Sequence, residues 1–193
     1  EEASDATAQA DIGSALWPAA VDDRTPAEIS AAERALWERV KNLKTSVEQL
    51  KELRDHLRRH ETDAPAMRML GRIERQDGYL TTARSLFERA LVLAPEYDKA
   101  RAELLLVLLE MDENKRAVAE SALLIARAPE NIEFQALHAN ALCAVGNFEA
   151  AIPTIEKVMR AKPTDARTRR VYARSLYIAG RREESAREYR ACL

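Results

Sequence analysis

Prolines at positions 95, 129 and 163 stand thirty-four residues apart, and other landmarks keep the same step. Gly78 leads to Asp112, Gly146 and Gly180, and Ala83 leads to Ala117, Ala151 and Ser185. A phase held through four registers limits the chain to units that repeat in space as they do in sequence. Within a unit, small and apolar residues recur at steps of three and four, the period of a helix. Each unit therefore reads as a helix, a turn and an antiparallel helix. Gly78, Gly146 and Gly180 close the first helix, where a left-handed residue without a Cβ costs least; Asp112 is the next best choice. The prolines end the second helix. Small residues mark where helices press together: Gly71, Ala139 and Ala173 at one position, Ala83, Ala117 and Ala151 at another. Bulk faces them from Leu70, Phe87, Leu104, Leu142, Ile155, Tyr172 and Tyr189, while Leu105 departs from the small-residue rule. No unit could bury its apolar face alone, so stability must come from stacked neighbours.

The run Leu70-Gly71, Gly78-Tyr79-Leu80, Ala83, Phe87, Ala90 and Pro95 resembles the tetratricopeptide repeat. That resemblance implies an all-α fold, a right-handed superhelix (α-solenoid) of antiparallel helix pairs. The units are 64–97, 98–131, 132–165 and 166–193, the last stopping inside its second helix. Tyr189, Cys192 and Leu193 would be left half covered there. The expectation is a fragment of a longer protein, or an end that another chain covers.

Upstream, Thr25-Pro26-Ala27-Glu28 is a helix start with a capping box, and Thr45 with Glu48 is a second one. Leu36, Val40, Leu43, Val47 and Leu50 alternate by four and three, which would also suit one long coiled-coil helix. The second capping box favours two helices with a turn near residues 41–46. Residues 25–63 then form a degenerate helical pair capping the repeats. Residues 1–24 form an acidic leader, loosely ordered or docked; Ile12, Leu16, Trp17 and Val21 favour a docked turn. Residues 1–23 hold six acids and no base, while 166–193 hold eight Arg against Glu183, Glu184 and Glu188. The leader is thus expected to lie in a basic groove of its own chain or of a neighbour.

Composition sets the class of partner. A net charge of −2 gives no global field for nucleic acid or a membrane surface. The longest apolar run, residues 104–109, is too short to span a bilayer. Cys143 and Cys192 hold different repeat positions, which argues for reduced thiols and a cytoplasmic setting. The chain begins without Met, which leaves a preceding targeting segment open.

Catalytic chemistry finds no foothold. His56 and His60 share a helical face at metal-ligand spacing, but Arg58 and Arg59 would repel a cation and no further ligands converge. His138, where Leu is usual, reads as a half-buried imidazole. Cys143 lies off its face, and no phosphate loop or nucleophile motif is present. The covered chain is expected to be no enzyme and to hold no metal or cofactor.

The resemblance implies that the first helix of each repeat lines a concave groove. Its repeat positions then give Arg68, Arg72, Arg75, Lys99, Leu106, Leu109, Leu137, Asn140, Arg167, Arg170, Arg174 and Tyr177 as the partner-binding surface. One subclass clamps acidic chaperone C-termini, but Glu103 and Glu133 stand where that clamp needs an amide and a cation. The function implied is a protein-interaction scaffold that binds a peptide or protein segment, possibly acidic. Two alternatives are a self-assembly module, meeting a second copy through the groove or the C-terminal end, and the recognition region of a larger transferase. The stretch from Val171 to Ala186, with Tyr189 to Leu193, is similar to the last repeat of bacterial TPR-sulfotransferase proteins. In that case the catalytic domain would lie beyond Leu193.

Overall fold

The computed structural model describes residues 22–191; residues 1–21 of the leader, with its expected docking, lie outside the described residues, as do Cys192 and Leu193. Ten helices and no strand occur among them. They are α1 (Pro26–Val40), α2 (Ser46–Arg59), α3 (Ala64–Gln76), α4 (Leu80–Leu93), α5 (Asp98–Glu110), α6 (Asn114–Arg127), α7 (Ile132–Ala144), α8 (Phe148–Ala161), α9 (Ala166–Ile178) and α10 (Arg182–Arg190). From α3 onward they pair in sequence order and stack into a right-handed superhelix.

Both threonine capping boxes form. Glu28 Oε2 accepts from the Thr25 amide at 2.7 Å, and Glu48 Oε2 accepts from the Thr45 amide at 3.4 Å. The chain turns between α1 and α2, so no continuous coiled coil exists. At the first turn of each later pair, Gly78, Asp112, Gly146 and Gly180 have φ of 87°, 58°, 79° and 81°. Asp112 is the one described non-glycine residue held there, at the same register as the glycines.

The apolar interior is four clusters strung along the axis rather than one centre. Leu36, Val40 and Leu53 pack on Met69 and Leu70 at the N-terminal end. Phe87, Leu104, Leu108, Ala117 and Leu124 fill the middle. Ala139, Ile155, Tyr172 and Leu176 fill the C-terminal third. Ala117 is fully covered within this stack. Ala117→Leu is expected to cost about 1–3 kcal/mol by overpacking, read as a lowered melting temperature by circular dichroism.

A polar device ties each unit to the one before. Arg101 Nη2 donates to the Pro95 carbonyl at 2.8 Å, Gln135 Nε2 to Pro129 at 2.5 Å, and Arg169 Nη2 to Pro163 at 2.8 Å. These donors hold one repeat position, thirty-four residues apart. Arg101 and Arg169 also pair with Glu120 and Glu188, at 2.5 and 3.1 Å. Proline thus ends the helix, and its free carbonyl becomes the anchor for the next one.

Candidate functional site

Successive first helices approach one another, α3 on α5 and α5 on α7, while α4 and α6 make no comparable approach. A stack that is closer on one side curves toward that side, so α3, α5 and α7 line the concave face, and α9 holds the same repeat position.

The N-terminal part of this face is taken up by the chain itself. α1 runs alongside α3, with Ile29 near Ala64 and Met67, and Leu36 and Val40 near Met69 and Leu70. Its apolar stripe carries one acid, Glu33, which reaches Arg68 Nη2 at 2.6 Å and Lys99 Nζ at 3.0 Å. Tyr97 closes the network: its hydroxyl donates to Glu33 at 2.9 Å and accepts from Arg68 Nε at 2.9 Å. Burial pushes the Glu33 carboxyl up. The Arg68 guanidinium, Lys99 and the Tyr97 hydroxyl outweigh burial and hold it below the usual carboxylate range. Burial raises the Tyr97 phenol, and Glu33 raises it further.

This corrects the expectation for Arg68. It is 7% exposed and bonded within the chain, because α1 lies over the side that a bare repeat would present to a partner. Lys99 is exposed but paired with the same carboxylate. Arg75 is half-buried between Glu103 at 3.2 Å and Glu110 at 2.7 Å, and the hydrogen bonds it donates to Glu110 outweigh burial in raising its pKa.

Leu106, Leu109 and Leu137 are half-buried on α5 and α7, and Asn140 is exposed beside them. Cys143 sits 3.5 Å from Ser175 Oγ, and burial pushes its thiol up, which suits an unreactive cysteine. Arg72, Arg170 and Arg174 are exposed and carry no ion pair or hydrogen bond among the described residues. Tyr177 is 59% exposed one turn beyond Arg174. The Arg167 side chain lies outside the described residues. Arg72 apart, the face therefore grades from neutralised charge at α3, through aliphatic carbon, to free guanidinium at α9.

His56 bonds Asp63 at 2.7 Å and leans on His60 with ring centres 4.7 Å apart. No group of three His, Cys, Asp or Glu able to hold a metal occurs among the described residues. No described helix is long and apolar enough to cross a membrane. His138 Nδ1 lies 2.8 Å from Ser121 Oγ, whose own proton goes to the Val118 carbonyl. The imidazole is thus the donor in this pair, and burial lowers its pKa below the usual 6.5. A lowered native value means that the unfolded chain takes up protons first. Stability should therefore fall as pH drops through about 6.5. His138→Leu should remove that slope from urea midpoints measured between roughly pH 5 and 8.

Glu33, Tyr97 and Trp37 adjoin this face, and repeat spacing alone does not find them. Glu33 had a signal: Ile29, Glu33, Leu36 and Val40 fall on one helical stripe, so an acid had to be buried with a partner.

The sequence model of the family described as tetratricopeptide repeat matches residues 20–193. No curated protein matches the chain in sequence. Among solved structures, a MamA chain from Desulfovibrio magneticus RS-1, beginning at residue 41, superposes with a TM-score of 0.74 at 18% identity, covering 86% of this chain and 93% of that one. MamA of AMB-1 gives 0.70 at 20% identity, covering 86% and 97%. MamA of MSR-1 gives 0.70 at 19%, covering 86% and 94%. At such identities the likeness is one of fold.

Proposed function

The chain belongs to the tetratricopeptide repeat family, a protein-interaction fold, and we propose that it holds a protein segment on the concave face of α5, α7 and α9. Leu106, Leu109, Leu137 and Tyr177 give apolar contact, with Arg170 and Arg174 selecting acidic segments by charge. The observation that carries this reading is the pair of exposed α9 guanidiniums without an acid of their own. Arg68, Lys99 and Arg75, by contrast, are neutralised within the chain. Affinity on the order of micromolar, roughly −8 kcal/mol, suits an interface of this mixed character.

The reading is tested with the whole chain as bait. Arg170→Glu with Arg174→Glu should reduce partner capture by about tenfold or more, as should Leu106→Ser with Leu137→Ser. Lys157→Glu, on the exposed side of α8, should change nothing. Equal capture by all three variants would remove the groove from the account. Light scattering on the same samples decides whether the captured segment belongs to a second copy. No observation favours the recognition half of a transferase.

A further inference from the structure

Beside the closed part of the groove lies an open pocket. A cavity of 210 Å³ separates α1 from α3. An engineered cavity of about 150 Å³ holds benzene, so this one has room for a phenylalanine ring. Its floor is Val40 and Met69, both buried, and Ile73 forms one wall. Trp37 forms the other wall, 44% exposed, and its indole N–H has no partner among the described residues. Arg72 stands at the mouth, exposed and unpaired. The one acid in the lining, Glu33, is already neutralised by Arg68 and Lys99, so the pocket's uncompensated charge is positive.

We propose that this pocket is the anchoring seat for a partner segment that carries an apolar side chain followed by a carboxylate. The side chain fills the space over Val40 and Met69 against the Trp37 ring, and the carboxylate meets Arg72. Gln49 and Gln76 complete the lining, and exposed Trp and Arg beside an aliphatic floor are the residue types that concentrate binding energy in interfaces. An aromatic or branched anchor gains by leaving water, whereas a polar one would strand its groups on an aliphatic floor. An acidic neighbour gains a charge-assisted bond to a guanidinium that has no competing acid. The proposal shares with the scaffold reading only the premise that the ligand is a protein segment; it needs none of Leu106, Leu137, Arg170 or Arg174.

The test uses the full chain with Trp17→Phe, so that Trp37 is its sole indole. The probe is the acetylated, amidated peptide Gly-Phe-Glu-Glu-Gly, with counterparts carrying Ala for Phe or Gln for both Glu. The parent peptide should shift Trp37 emission saturably, and each counterpart should require about tenfold more peptide. Arg72→Gln should give the same loss with the parent peptide; Arg72 is exposed, and circular dichroism verifies the fold. No saturable shift, or equal binding of the Gln counterpart, would overturn the proposal. So would an equal loss in Arg174→Gln, because the charge requirement would then be diffuse. Leu106→Ser with Leu137→Ser should leave this titration unchanged, so a failure of the groove reading and a failure of the pocket register separately.

Discussion

Arg68→Ala should destabilise the chain by about 3–5 kcal/mol, because it leaves the Glu33 carboxylate buried without its principal partner. Glu33 and Arg68 are each less than a tenth exposed, so water cannot replace the lost bond at 2.6 Å. Tyr97 and Lys99 remain, but Lys99 is more than half exposed and therefore a weaker compensator. Urea unfolding followed by circular dichroism measures the loss. The combined change Glu33→Leu with Arg68→Met removes both charges and should be far milder, from neutral to stabilising. A single variant as mild as the double one would mean that α1 is held by Ile29, Leu36 and Val40 alone. The network also predicts an acid limit. Glu33 titrates below its ordinary 4.5 in the folded chain, so its contribution is present above that value and is lost as pH falls through the depressed one. In Arg68→Ala that part of the acid dependence should shrink.

Phe87→Ala should cost about 3–5 kcal/mol, the other large loss. The ring is fully covered and lies directly over Gly71. A Cβ on Gly71 would come within 2.8 Å of Phe87 Cε1, so Gly71→Ala should itself cost about 1–3 kcal/mol. The two sites share one volume. Gly71→Ala with Phe87→Leu should therefore lose less than the sum of the single changes, measured as a double-mutant cycle. Additive losses would show that the ring and the glycine do not constrain each other. The same exchange runs through the later units: Leu105 with Ser121, Ala139 with Ile155, and Ala173 with Tyr189 occupy the matching positions. Leu105, which breaks the small-residue rule, is accompanied by a small partner across the hairpin.

These exchanges show why the fold was legible. Helix ends, turn residues and small-to-large pairings are local, or recur at one fixed step, and each is visible in a single chain. Thr25, Thr45 and the four turn residues could be read individually. The fate of Arg68 could not, because its repeat position predicts a groove residue and only the path of α1 buries it. The buried acid on the α1 stripe hinted at a pairing without naming the partner. Tyr97, at the junction between units, has no repeat role that would connect it to residue 33. The pocket under Trp37 was hidden for the same reason: it depends on the spacing between two helices that belong to different registers. The carbonyl anchors of Arg101, Gln135 and Arg169 were present as a thirty-four-residue series. Their meaning appears only when the free proline carbonyl is seen beside them.

Load on a stacked coil is shared among its junctions, and these are not built alike. Toward the N-terminus, α1 lies along α3 and, through Glu33, grips residues on both sides of the first junction, so those units must turn as one block. At the junction of α6 with α7, a single hydrogen bond between His138 and Ser121 stands where neighbouring seams carry carbon. Protonation of the His138 ring therefore bears on this seam and not on its carbon-filled neighbours.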